Sequence, residues 1–255
     1  MPLEIVTVPC LADNYAFLAH DPESGETAVV DVPEADPILK ALAERGWTAD
    51  KVLLTHHHAD HVQGLHDLLE AHPARVIGAR ADNHRLPSLS EQVADGDTVT
   101  IGGEAGVVIE VPGHTVGHIA FHFPRSHVAF TADSLMALGC GRVFEGTMDQ
   151  MWDSLSKLAA LPPETLICSG HEYTLANGKF ALTVEPGNDA LISRVGETEK
   201  ARAQNRPTVP SRLSLELATN PFLRSSSAEI RQRLDMTDAS DAQVFAEIRR
   251  RKDNF

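Results

Sequence analysis

Four times within its first 171 residues this chain runs through a short β-rich apolar stretch and ends it on a histidine or an aspartate. Val52-Leu53-Leu54-Thr55 leads to His56, and residues 106–111 lead through Pro112-Gly113 to His114. Residues 128–131 lead through Ala132 to Asp133, and residues 165–168 lead through Ser169-Gly170 to His171. One such end is an ordinary polar residue closing a strand. Four of them ask for a fold in which strands present their ends to one cleft, because rigid elements hold ligands in place.

The densest of the four is Thr55-His56-His57-His58-Ala59-Asp60-His61. Imidazole nitrogen and carboxylate oxygen suit zinc and neighbouring first-row metals, and no thiolate is needed. Residues two apart point the same way in an extended segment, so His56 and His58 can grip one ion while His57 faces away. Asp60 and His61 follow where a helix can start and can face a second ion. The full set divides into His56, His58 and His114 for one ion and Asp60, His61 and His171 for the other. Asp133 bridges them, since a carboxylate has two oxygens to offer. Open coordination positions remain, as a catalytic site requires. His118, four residues after His114, is either a partner that orients a ligand or an ordinary hydrogen-bonded histidine, and Asp31 either steadies the metal loop or forms a turn.

Around this motif the sequence alternates strands and helices. Strands are expected at 4–9, 15–19, 27–32, 51–54, 75–78, 98–101, 106–111, 119–123, 128–131 and 165–168, with helices at 35–45, 62–71 and 148–160. That order predicts two sheets packed on each other with helices outside. Beyond residue 172 the character turns helical, with helices expected at 177–184, 189–204, 228–236 and 241–252. Ser240 and Gln243 are spaced for a capping box at the start of the last one. The division expected is a catalytic domain over 1–172 and a small helical domain over 173–255.

A formal net charge of −14 argues against a general nucleic-acid or anionic-membrane binder. Three cysteines, Cys10, Cys140 and Cys168, do not make a disulfide framework, which suggests a reducing compartment. No secretory signal and no apolar stretch of about 20 residues is apparent, so a soluble cytoplasmic protein is expected, as a monomer.

The order and spacing of His56-x-His58-x-Asp60-His61, His114, Asp133 and His171 resemble the metallo-β-lactamase superfamily. The resemblance implies a four-layered αββα sandwich with metals at one edge of the sheets. A further set of segments is similar to glyoxalase II, the hydroxyacylglutathione hydrolases. These are residues 9–15, Cys140-Gly141-Arg142-Val143-Phe144-Glu145-Gly146, Gly170-His171-Glu172-Tyr173-Thr174, Glu185-Pro186-Gly187-Asn188, residues 220–224 and residues 249–253. That likeness spans nearly the whole chain.

The resemblance implies two divalent ions per chain, zinc first, with iron or manganese as alternatives. It implies hydrolysis of S-D-lactoylglutathione to glutathione and D-lactate, the second step of methylglyoxal detoxification, by a hydroxide bridging the ions. Asp60 is expected to orient that hydroxide as well as ligate. By the same likeness Arg142, Phe144, Tyr173, Arg249 and Lys252 bind the glutathione moiety. Arg142 stands where a lysine is common in the family, and Phe144 where better-known members carry a tyrosine. A lactonase or another thioesterase or hydrolase of the same fold is the alternative, because metal-hydroxide attack on an ester uses the same chemistry.

Overall fold

A computed structural model describes residues 1–255, which divide into two compact units. The first comprises Met1–Glu110 and Val116–Ala132, the second Val111–Thr115 and Asp133–Phe255.

The first unit opens with β1 (Glu4–Cys10), β2 (Asn14–His20) and β3 (Thr27–Val30), then α1 (Ala35–Arg45) and β4 (Lys51–Leu53). Two short helices follow, α2 (Ala59–Val62) and α3 (Leu65–Ala71), then β5 (Arg75–Ala79) and β6 (Glu91–Val93). β7 (Thr98–Ile101), β8 (Glu104–Glu110), β9 (Ile119–Phe123) and β10 (Val128–Ala132) complete it. β1 to β6 form one sheet in sequence order, antiparallel up to β3 and parallel from there on. β7 to β10 pair as an antiparallel meander. The two sets of strands face each other. Phe17 of β2 packs on Phe130 of β10 with ring centroids 5.8 Å apart, and Lys51 of β4 donates to the Thr100 carbonyl of β7 at 2.7 Å. The sandwich expected from the strand-rich pattern is present in this unit.

Burial explains which strands read as continuous apolar runs. β2, β3, β9 and β10 are buried throughout, whereas β8 alternates buried and exposed positions. α1 buries Ala35, Ile38 and Leu42 at helical spacing and stops at Gly46, whose φ of 69° supplies the left-handed cap.

Some expected boundaries move for identifiable reasons. The strand expected over 27–32 stops at Val30 because Asp31 takes φ 57°, outside the extended region. The helix expected over 62–71 is two helices broken at Gly64. A Cβ there would lie 2.8 Å from the Ala35 backbone nitrogen, so α1's first turn crosses too closely for any side chain.

The second unit contains the hairpin β11 (Leu135–Met136) and β12 (Gly139–Cys140), α4 (Met148–Ala159) and β13 (Leu166–Ser169). After it come α5 (Thr174–Val184), α6 (Asp189–Ala203), β14 (Ser211–Arg212), α7 (Leu213–Thr219), α8 (Ala228–Arg233) and α9 (Asp241–Asp253). β13 and β14 pair antiparallel. α9 begins in the capping box its sequence suggests: the Gln243 amide donates to Ser240 Oγ at 3.3 Å and the Ser240 amide to Gln243 Oε1 at 2.9 Å. Its buried residues Val244, Phe245, Ile248 and Arg249 include the apolar face read from the sequence. α7 is an addition, since nothing in the periodicity reading marked it.

The core of this unit also holds a charged network. Glu216 of α7 has no exposed surface. It accepts from the Leu138 amide at 2.9 Å, from Ser211 Oγ at 2.5 Å and from Asn220 Nδ2 at 3.1 Å, and it pairs with Arg194 of α6. Arg194 also donates to Thr219 Oγ1 at 2.7 Å.

Candidate metal centre

In the first unit the ligand run leaves β4 and enters α2. His56 is fully buried, and His58 lies just before the helix. Their rings are 4.8 Å apart, and the His56 and His61 rings 4.2 Å apart. His61 Nε2 lies 4.0 Å from Asp60 Oδ2. Four expected ligands are therefore gathered here: His56, His58, Asp60 and His61. His57 turns aside to Asp82, 3.2 Å away, as the alternation of an extended segment requires.

The partners of these rings say which nitrogen is left for a metal. Asp31 Oδ2 lies 2.8 Å from His61 Nδ1 and accepts from Thr55 Oγ1, also at 2.8 Å. Asp31 Oδ1 accepts the Thr55 amide at 2.9 Å. The Thr55 hydroxyl is committed as a donor to Asp31, so it accepts from His56 Nδ1 at 3.0 Å. Both histidines thus carry their proton on Nδ1 and present Nε2, the arrangement in which an outer acceptor fixes tautomer and ring plane. The left-handed turn that ends β3 is what aims Asp31 here. His118 stacks on His56 with centroids 4.7 Å apart and planes 13° apart, which restricts the ring further. Asn14 donates to the Asp60 carbonyl at 3.0 Å and to Asp60 Oδ2 at 3.1 Å. Periodicity gave no reason to single out Asn14. Its only signal was its place in the segment 9–15.

In the second unit His114, Asp133 and His171 come together, each buried to about the same degree. His114 Nε2 lies 3.4 Å and His171 Nε2 3.2 Å from the same oxygen, Asp133 Oδ2. Two imidazole nitrogens thus face one carboxylate oxygen. His114 Nδ1 donates to the Arg142 carbonyl at 2.8 Å, again presenting Nε2. That contact requires the chain at Gly141 to pass very close: a Cβ there would lie 1.9 Å from the Asp133 carbonyl oxygen and 3.0 Å from His114 Nδ1. After His171 the turn is fixed by Glu172, which accepts the Thr208 amide at 2.8 Å and the Thr208 hydroxyl at 2.5 Å.

Two aromatic residues flank these ligands. Tyr173 stacks on His171 at 4.7 Å with planes 5° apart, and Phe144 meets His114 edge-on at 5.3 Å. They are 39% and 61% exposed. The Arg142 guanidinium lies 5.9 Å above the Phe144 ring. Lys252 sits over Phe180 and Phe255, at 5.6 and 5.3 Å, and Arg249 over Phe222 at 5.1 Å. Burial holds the Lys252 ammonium below the usual lysine range; Arg249 adds to the effect and Asp253 opposes it.

None of the three cysteines forms a disulfide, and all three are buried. Burial pushes Cys10 and Cys140 up to about 11 and raises Cys168 further. A nucleophilic thiolate is therefore not part of this chemistry.

The family model for the metallo-beta-lactamase superfamily matches residues 16–171, and that for the hydroxyacylglutathione hydrolase C-terminus matches residues 172–255. The chain is 66% identical to a hydroxyacylglutathione hydrolase of Cereibacter sphaeroides, with all of both chains covered. It is 62% identical to that of Roseobacter denitrificans and 52% to that of Rhodobacter capsulatus, again over the full length of each. Among solved structures, ETHE1 from Myxococcus xanthus superposes with a TM-score of 0.64 at 24% identity, over 96% of this chain and 95% of that one. The BLEG-1 B3 metallo-beta-lactamase gives 0.67 at 18% identity, over 86% and 99%. At such identities the two structures speak to the fold alone: an α/β sandwich, here with a helical C-terminal region. The superfamily fold and the His/Asp clusters together indicate a binuclear site for divalent metal ions. Matched across residues 16–255 by these two family models and 52–66% identical to full-length relatives of one name, the chain belongs to the hydroxyacylglutathione hydrolase family.

Proposed function

We propose that the chain hydrolyses S-D-lactoylglutathione and related 2-hydroxyacyl glutathione thioesters to glutathione and the free hydroxy acid. One observation carries the catalytic part of this reading. His56, His61 and His114 each have Nδ1 tied to a fixed acceptor, while Asp133 offers one oxygen to two imidazoles. That donor set, imidazole nitrogen and carboxylate oxygen, fits a pair of divalent ions, and zinc suits it best. His56, His58 and His114 would hold one ion, Asp60, His61 and His171 the other, and Asp133 both.

When bound, such a pair makes hydroxide available near neutral pH and stabilises negative charge on the carbonyl oxygen of the thioester. The chain's own residues do the rest. Asp60, steadied by Asn14, is an acceptor placed to orient the attacking nucleophile. Phe144 and Tyr173 wall the thiol side, and Arg142 and Lys252 supply cations for the glutathione carboxylates, with Arg249 supporting them. The departing thiol has an ordinary pKa of about 8.5, so it leaves as thiolate without a strong acid. The helical region from 173 onward serves as the glutathione-binding domain and residues 1–172 as the catalytic one. Three reduced cysteines suit a cytoplasmic setting.

Removing metal with a chelator should abolish thioester hydrolysis, and adding zinc should restore it. The restored enzyme should turn over lactoylglutathione far faster than acyl-homoserine lactones. A preference for the lactone would replace this reading with the lactonase one. The half-buried Lys252 adds a pH test. Its ammonium is neutralised at a lower pH than that of an ordinary lysine, so KM for the glutathione thioester should climb on the alkaline side. Lys252→Arg keeps the charge and should flatten that climb. An unchanged alkaline limb in the arginine variant would remove Lys252 from substrate binding.

A further inference from the structure

The end of α9 carries an acid for which the hydrolysis has no use. Asp253 lies among three cations, Arg142, Arg249 and Lys252. Arg142 donates from Nε to Asp253 Oδ1 at 3.2 Å and from Nη2 to the Asp253 carbonyl at 3.4 Å. Arg249, one helical turn earlier, donates from Nη2 to that same Oδ1 at 2.8 Å. Its Nη1 donates to the Cys140 carbonyl at 2.9 Å. One carboxylate oxygen and one guanidinium thus fasten the last turn of the chain to a loop 111 residues away in sequence.

Arg249 is only 5% exposed, and both its Nη groups are committed within the chain. It is therefore placed to hold the loop more than to reach out of it. Arg142 differs: its side chain is 53% exposed. A long cation on the surface loses rotamer entropy when it is fixed, and free it would sample many positions. Asp253 fixes it. The acid also offsets repulsion among three neighbouring positive charges, while Lys252 makes no hydrogen bond to a carboxylate and stays available. The same loop presents the Arg142 carbonyl to His114, so its position matters at both ends.

We propose that Asp253 is a positioning residue for thiol recognition: it pins Arg142 and, with Arg249, the loop that carries it, and so presets the cationic fork of Arg142 and Lys252 that meets the glutathione carboxylates, without itself touching substrate. This rests on reading the site as glutathione-binding. Presetting a fork lowers the ordering cost of binding, so its loss should appear in KM and only where the substrate has carboxylates to be met.

The test compares two lactoyl thioesters, that of glutathione and that of N-acetylcysteamine, a thiol without carboxylates, on metal-loaded full-length enzyme. Asp253→Ala should raise KM for the glutathione thioester about tenfold, with kcat within about twofold. Its kcat/KM on the carboxylate-free thioester should match that of the unaltered enzyme. Asp253→Asn, which keeps size and one acceptor oxygen, should fall between, and Asp253→Glu should recover most of the lost affinity. Thermal melts and metal content of all three should match the parent. If Asp253→Ala melts early, Asp253→Asn carries the comparison. Equal losses on both thioesters would mean a merely structural role, and an unchanged KM would mean none; either overturns the proposal. Should the unaltered enzyme itself show no preference for the carboxylate-bearing thioester, the glutathione reading fails and this inference with it. A parental preference that the variants keep overturns the Asp253 role alone.

Discussion

Asp133→Ala should lower turnover of the glutathione thioester by about three orders of magnitude, close to 4 kcal/mol of transition-state stabilisation. Metal content should fall from two ions per chain to one or none. The reason lies in the two imidazoles that face Asp133 Oδ2, His114 at 3.4 Å and His171 at 3.2 Å. Two cations held close together would repel, and a carboxylate shared between them would offset that repulsion, so its removal would loosen both positions at once. Loss of an outer partner is milder: Asp31→Ala should weaken metal affinity by about 10- to 100-fold while leaving every ligand in place. Elemental analysis and kinetics on the same preparations decide this. An Asp133→Ala enzyme that retains two ions and near-normal turnover would end the bridging assignment.

The second large effect is on stability and is remote from catalysis. Glu216→Ala should cost about 3–5 kcal/mol, the usual penalty for stranding one half of a buried ion pair. Two further groups lose their acceptor in the same change, the Leu138 amide and the Ser211 hydroxyl, while Asn220 Nδ2 keeps the Met136 and Gly139 carbonyls. For a chain of this size the melting temperature should drop by roughly 10 °C. Replacing the pair together, Glu216→Leu with Arg194→Met, should recover part of the loss, because two matched apolar groups leave no unpaired charge. Thermal and urea unfolding measure both. A single variant that melts within about a degree of the parent would show that the network contributes little net stability.

The candidate ligands can be picked out in the sequence because each lies just beyond an apolar strand and because spacing of two sets facing in an extended run. His56, His58 and His57 obey that rule directly, with His57 sent to Asp82. What escaped was set by distant parts of the chain. The break between α2 and α3 comes from α1 crossing over Gly64. The link between Arg142 and Asp253 joins a loop to a helix end, and no local pattern announces it. β6, β11, β12 and β14 are two or three residues long, too short to show a period. α7 follows β14 directly and alternates Leu213, Leu215 and Leu217, a strand-like spacing that packing around Glu216 overrides.

The three buried sulfurs have a chemical corollary for an enzyme that liberates a thiol. With Cys10 and Cys140 pushed up to about 11 and Cys168 higher still, roughly one side chain in ten thousand or fewer is deprotonated at neutral pH. Exchange with oxidised glutathione needs that anion. The buried sulfurs of this chain are thereby poor partners for S-glutathionylation by the thiol pool the reaction feeds.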